Sequence, residues 1–409
     1  MALAFWKKKE DKKNKPKKPV WREWLDAGIF AIVAATIIRM FFIEAYTIPT
    51  GSMEGTLKVN DYLFVSKLAY GPRLPNTPLS FPLVHNTMPL TGGKSYSEAV
   101  HWKYRRLPGF GSVKRNDVVV FNFPNNDTTV LEDPSQDYYT YVRQHGWENV
   151  NRNMHVITRP VDKRENYIKR CVGVPGDKIE IKDGVLYVNN AIASQFAHQR
   201  THYAVFGSTR LSMEFMEENF IRYAGEDPYL KAQIYDMEFS SVEKVKAING
   251  ITDVRPYNLM PKGVAGEKGQ WTFPFDTVHY KWNQDNFGPL TVPKKGTTVT
   301  LSPENIALYE RLIRIYEENP GLVVDAAGNA ALDGKPLTQY TFKMDYYWMM
   351  GDNRHASADS RYFGFVPEDH IVGKASFVWL SYGNGDGGVY NAKGMRWGRL
   401  FRGVGSLEK

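Results

Sequence analysis

Tyr46-Thr47-Ile48-Pro49-Thr50-Gly51-Ser52-Met53-Glu54-Gly55-Thr56-Leu57 is the stretch on which the reading of this chain turns. It follows directly on the only long apolar run. It sets a small, hydroxyl-rich turn at one end of a membrane-length segment. That placement makes Ser52 a candidate nucleophile held close to a bilayer surface. The rest of the chain then has three tasks: to anchor Ser52, to supply its base and to shape a groove beside it.

The apolar run, Leu25–Tyr46, reads LDAGIFAIVAATIIRMFFIEAY. At helical rise its length is about 33 Å, close to one hydrocarbon thickness. Before it, residues 1–24 carry nine Lys/Arg against three Asp/Glu. Lysines on that side predict a cytoplasmic N-terminus and a body across the membrane. Asp26 lies near the inner end of the run. Arg39 lies deeper, placed to snorkel toward the outer interface, with Glu44 five residues on. A cleaved leader would share the basic head and the apolar run. This run is longer than a leader core, however, and leads straight into the serine stretch, so the reading is a retained anchor.

The chain has 409 residues, enough for more than one compact unit, and a net charge of +8. Most of that surplus sits in the short head, which argues against a nucleic-acid-binding body. Aromatic residues make up 14% of the chain, in keeping with a sheet-rich body. Cys171 is the single cysteine, so no internal disulfide exists and the redox compartment is left open.

Strand patterns occur at Asn60–Lys67, Val118–Phe123, Tyr167–Val174, Tyr340–Met350 and Gly373–Leu380. Lys178–Val188 reads as a hairpin around Asp183-Gly184. Phe215–Tyr223 reads as a short helix. Ser302-Pro303-Glu304-Asn305 starts a helix whose apolar face is Ile306, Tyr309, Leu312, Ile313 and Tyr316. The stretch 71–112 reads as loop with short strands, a groove wall or a membrane-skimming surface. The fold class is mainly β: an antiparallel sheet core with an N-terminal transmembrane helix and large mixed insertions. The expected organisation is a basic tail (1–24), the anchor (25–46), a first part of the catalytic β domain (47–190, interrupted near 71–165), an inserted region (191–340), a return to the core (341–382) and a C-terminal tail (383–409). The arginine-rich stretch Met395–Val404, with Trp397, is equally consistent with contact to anionic lipid and with plain surface.

Ser52 fits neither common serine-hydrolase pattern. Thr50 and Glu54 stand where a nucleophile elbow needs glycines, and Gly55 stands where a penicillin-binding pattern needs lysine. His202, His279 and His355 sit in unrelated settings and suggest no triad and no metal site. Lys169 is the better partner. It lies in an apolar strand beside Tyr167, Ile168, Cys171 and Val172, with Arg170 on the opposite face. Burial disfavours an ammonium, so a neutral amine there could accept the serine proton, although a structural lysine that snorkels out of the strand fits the same pattern equally well. The third chemical block runs from Met350 to Gly364. In it Asp359 and Arg361 can pair across one turn, and Ser357 can hydrogen-bond a lysine amine.

Three blocks together resemble the bacterial type I signal peptidases, the membrane-bound Ser-Lys leader peptidases. They are Pro49–Leu57, Tyr167–Asp177 and Gly351–Arg354 through Ser357–Arg361, in this order and after an anchor. The resemblance implies Ser52 as nucleophile, Lys169 as general base and Ser357 as the residue that orients the base. It implies that Thr50, by its hydroxyl, and Ser52, by its backbone N–H, hold the oxyanion. Tyr46, Ile48, Pro49, Met53, Leu57, Tyr167 and Ile168 would line the pockets beside the scissile bond. Asp352 with Arg170, and Asp359 with Arg361, would be structural pairs. The sequence departs from the family pattern at Gly55, where proline is common, and at His355-Ala356, where Asp-Asn is commoner.

The implied activity is removal of signal peptides from exported preproteins at the outer face of the cytoplasmic membrane, without metal or cofactor. The implied partners are preproteins and the bilayer, not nucleic acid. The expected topology is single-pass, with the catalytic domain on the extracytoplasmic or periplasmic side. Two rivals share part of the pattern. A soluble self-cleaving repressor-type protease has the Ser-Lys logic but no anchor. A silent membrane-anchored β protein has the anchor but no need for Ser52, Lys169 and Ser357 together.

Overall fold

The structure is a computed structural model that describes residues 19–133, 137–193, 198–265, 271–385 and 393–408. The lysine-rich head before Pro19 lies outside the described residues.

Helix α1, Val20–Phe41, has a mean hydropathy of 1.7 over its best window and no buried residue. It lies five residues nearer the N-terminus than the expected 25–46. Its last main-chain bond runs from the Phe42 N–H to the Ile38 carbonyl. The β-branched and aromatic residues that follow are drawn into a ladder instead. Ile43–Thr47 is strand β1, and Tyr46, expected at the end of the anchor, sits within it. Arg39 is in the last helical turn, where its guanidinium reaches the Glu44 carboxylate at 2.7 Å and the Leu83 carbonyl at 2.9 Å.

The core is a nine-stranded sheet. Its strands are β1, β2 (Asp61–Ser66), β3 (Val118–Asn122), β4 (Asn166–Gly173), β5 (Tyr346–Met350), β6 (Val366–Pro367), β7 (Ile371–Gly383), β8 (Gly394–Met395) and β9 (Arg402–Gly403). The order is β1-β2-β7-β3-β4-β5-β6, with β8 and β9 on β7, and the pairings are antiparallel. Strand β7 is 13 residues long and bulges against both β2 and β3. Each bulge bends and twists the strand, which curls the sheet. The unbroken apolar run of β3 has a simple cause. Val118 and Val120 enter one cluster with Ile48, Met53, Leu57 and Leu63, while Val119 and Phe121 enter another with Cys171, Tyr347 and Met349. A strand buried on both faces has no polar side to show.

The 71–165 stretch is split by β3, so one excursion lies before it and one after. The later excursion holds the helices Tyr138–His145 and Trp147–Asn153. Between β4 and β5 lie two four-stranded sheets, one of them Arg222–Asp227, Ala232–Glu238, Arg200–Gly207 and Ile251–Pro256. The short helix predicted over Phe215–Tyr223 is Met213–Glu218, and the chain turns into a strand at Arg222. Ile306–Arg311 is helical and continues as a π-turn over Leu312–Tyr316. Asp183 and Gly184 both take positive φ, as a tight hairpin requires. The C-terminal tail belongs to the fold. Beyond its two short strands, Arg396 and Arg399 converge on the fully buried carboxylate of Asp61.

Candidate active site

The serine turn is a single 3-10 turn, Gly51–Met53, between β1 and β2. Thr50 caps it in extended conformation and is exposed, as is Pro49. The alternation of β4 sends Lys169 and Arg170 to opposite faces. On one face, Lys169 Nζ lies 2.7 Å from Ser52 Oγ and donates to the Ile168 carbonyl at 2.9 Å. Both side chains are nearly enclosed, with Ser52 7% and Lys169 5% exposed. Burial lowers the Lys169 amine to about 8, against an ordinary 10.5, while Asp359 and Asp352 pull the other way. Their pull is weak because each carboxylate already has a guanidinium of its own.

Asp352 receives Arg170 Nε at 2.8 Å and Nη2 at 2.7 Å, and the Thr56 hydroxyl at 2.7 Å. Asp359 receives Arg361 Nε at 2.9 Å and Nη2 at 2.8 Å, and the Gly351 N–H at 3.1 Å. These are fork-on-carboxylate pairs, both buried. Burial alone would raise the two carboxyls; their arginines hold them below the usual carboxylate range. The segment after β5 thus becomes a rigid lip over the serine turn. Asn353 clamps it, its N–H to the Ser52 carbonyl (3.1 Å) and its side chain to the Gly51 carbonyl (3.2 Å).

A buried amine beside a buried hydroxyl, in a body that follows a membrane-length helix, is compatible with Ser-Lys acyl transfer. The family described as "Signal peptidase, peptidase S26" matches residues 21–219 and 291–380. The chain belongs to the signal peptidase family. It is 24% identical to "Signal peptidase I" of Rickettsia felis over 98% of this chain and 99% of that protein. Against "Signal peptidase I" of Buchnera aphidicola from Acyrthosiphon pisum it is 25% identical over 87% of this chain and 74% of that one.

Within this family member, the expected pocket residues fall into two groups. Tyr46, Tyr167 and Ile168 are partly exposed and Pro49 is open, whereas Ile48, Met53 and Leu57 are packed in the core beneath the turn. Tyr167 stacks on Phe123 at 4.3 Å, and Lys169 Nζ lies 5.4 Å from the Tyr167 ring centre. Ser357, expected to orient the base, has its Oγ buried beside the turn on the Asp359 side, and no hydrogen bond joins it to Lys169 among the described residues. His202 and His355, which looked unrelated in sequence, have ring centres 6.5 Å apart, and His355 is held by Asp285 and Thr201.

Sequence reading missed the role of the 191–340 insertion. Arg222 bridges Glu54 of the serine turn (2.8 Å) to Asp236 (2.6 Å), and the Arg200 N–H donates to the Asp352 carbonyl at 3.0 Å. Gly55 has φ +107, and a Cβ there would sit 1.9 Å from the His198 carbonyl. Gly55 is therefore the trace in sequence of this docking, since proline cannot take that φ. Glu408 of the tail also reaches the site, pairing with Arg170 at 2.7 Å. Gly351 is equally confined: a Cβ would lie 2.3 Å from Ser357 Oγ and 2.6 Å from the Ser52 carbonyl oxygen. Gly351→Ala is expected to keep the fold and shift the serine turn. Peptide cleavage should fall about a hundredfold, the scale of an ångström of misplacement. Unchanged cleavage at unchanged thermal midpoint would show that the lip does not set the serine.

Proposed function

We propose that this chain removes signal peptides from exported preproteins through an acyl-enzyme, with Ser52 as nucleophile and neutral Lys169 as general base. The observation that carries the proposal is the 2.7 Å approach of Lys169 Nζ to Ser52 Oγ in a nearly dry setting. Lys169 takes the Ser52 proton as Oγ bonds to the scissile carbonyl carbon. The oxyanion that forms is held by the Ser52 N–H and the Thr50 hydroxyl, donors that strengthen as charge develops. The C–N bond then breaks, and the leaving amine departs with the proton from Lys169. Water, deprotonated by the same amine, releases the acyl group and restores Ser52.

Positioning supports the same reading. Strand β1 ends the sheet, begins two residues after α1 and leads into the serine turn. Its outer edge is open to an extended substrate segment. The pockets lined by Tyr46, Pro49, Tyr167 and Ile168 suit small side chains. The lysine-rich head remains in the cytoplasm, α1 crosses once, and the body acts at the outer face, where enzyme and membrane-held substrate share one surface. Ser357 supports the base through the lip.

A serine-directed acylating inhibitor tests the reading on the full-length, detergent-solubilised protein. One adduct is expected, on Ser52. Only unprotonated Lys169 can accept the proton, so the acylation rate should climb as pH rises through about 8 and then level off. No adduct on Ser52, or a rate flat from about pH 6 to about pH 10, would leave the silent-binder reading standing.

A further inference from the structure

An open cavity of about 210 Å³ lies between the outer end of α1 and the segment around residues 75–85. Four cations line it, Arg39, Lys67, Arg73 and Lys163, against the carboxylates of Glu44 and Asp162. Glu44 is shared, 2.7 Å from Arg39 and 2.9 Å from Lys67. Asp162 Oδ2 accepts from the Thr77 N–H and hydroxyl, while its Oδ1 is buried without a hydrogen-bond partner among the described residues, and its charge acts on both Arg73 and Lys163. Arg73 donates to neutral acceptors, the Asn122 side chain at 2.7 Å and the Asp369 carbonyl. Lys163 Nζ donates to Ser80 Oγ at 3.0 Å and has no carboxylate in ion-pair contact among the described residues. His85 also faces the cavity, its Nε2 2.8 Å from the Arg164 carbonyl. The side chains therefore leave an excess of positive charge in a half-buried space, which calls for an anion.

The position says which anion. Thr36, Arg39 and Met40 come from the last turns of the membrane-length helix, so the cavity opens at headgroup level. Phe81 and Leu83 are exposed on its other wall, where acyl chains would lie. We propose that this cavity holds the phosphate of one anionic phospholipid from the leaflet at the Phe41 end of α1, with Lys163 and Arg73 as its principal donors. A lipid held there contacts the walls built by α1 and by Glu44 and Tyr46 of β1. It would thereby fix the height of the serine turn above the bilayer.

The test titrates full-length protein in mild detergent with phosphatidylglycerol, with diacylglycerol of the same chains and with inorganic phosphate, reading bound mass by native mass spectrometry. One phosphatidylglycerol per chain is expected. Diacylglycerol, without the phosphate, should bind at least about tenfold more weakly, as should phosphatidylglycerol to Lys163→Met; Lys163→Arg should retain it. Equal retention of diacylglycerol by the wild-type chain would overturn the proposal. So would undiminished binding to a folded Lys163→Met variant. Inorganic phosphate that binds as tightly as the lipid would overturn the lipid as source and leave a free-anion site. The comparison of the two lipids on the wild-type chain decides the matter even if the variant fails to fold.

Discussion

Lys169→Met is expected to leave a folded, membrane-inserted protein whose turnover of a preprotein falls by about a hundred- to ten-thousandfold. Ser52→Ala should lose at least as much, because no acyl-enzyme can form. Lys169→Arg should fail as well, since a guanidinium stays charged and cannot accept the serine proton. The same change has a stability signature of opposite sign. The buried amine is held at about 8 against 10.5 in the unfolded chain. Between those values the unfolded state binds more protons, so stability rises with pH across that window. Below about 8 the lysine costs the fold about 3 kcal/mol, from the one-unit equivalence of 1.36 kcal/mol. Lys169→Met removes that cost, so at neutral pH the variant should unfold at a higher temperature while being inactive. Measured cleavage near wild type, or a variant that simply unfolds, would defeat the assignment of Lys169 as a buried base.

Asp359→Ala should be the most damaging single change to stability in the site. It leaves the Arg361 guanidinium enclosed without its carboxylate, a loss of about 3–5 kcal/mol when one partner of a buried pair is removed. It also takes the acceptor from the Gly351 N–H. Activity should therefore fall with stability, through the lip that sets Ser52. Replacing both partners by apolar residues of similar volume should recover much of the stability but little of the activity. Because Arg361 holds the Asp359 carboxyl below its ordinary value, the stabilisation is present above the normal carboxylate range and is lost on acidification through the lowered pKa. Denaturant unfolding of the single and double variants measures both terms. A single variant as stable as wild type would mean that water reaches Arg361.

Much of the core was legible because its signals are local. The apolar run, the alternating strands and the turn residues Asp183-Gly184 each depend on near neighbours along the chain. The apolar helix was misplaced by five residues because hydropathy does not register where backbone bonding changes partner. Phe42 still closes on Ile38, but Ile43 already faces Ser66 across the ladder. The two insertions were visible as stretches, but what they touch was not. No local pattern marks Arg222, which the fold sets between Glu54 and Asp236. The stretch Met395–Val404 read equally as lipid contact or plain surface, whereas Arg396 and Arg399 turn inward to Asp61.

Taken alone, the sequence determined the chemical kinds of residue available: a serine in a tight turn, a lysine in an apolar strand, and a helix of membrane-crossing length before both. Tertiary structure alone decided that the serine and the lysine, 117 residues apart, meet at 2.7 Å. It also decided that the two nearby carboxylates are neutralised by their own arginines, so that desolvation governs the lysine. The reason is one of range. Helix and strand preferences act over a few residues, whereas proximity across the sheet is set by strand order, and strand order is a property of the whole packed core.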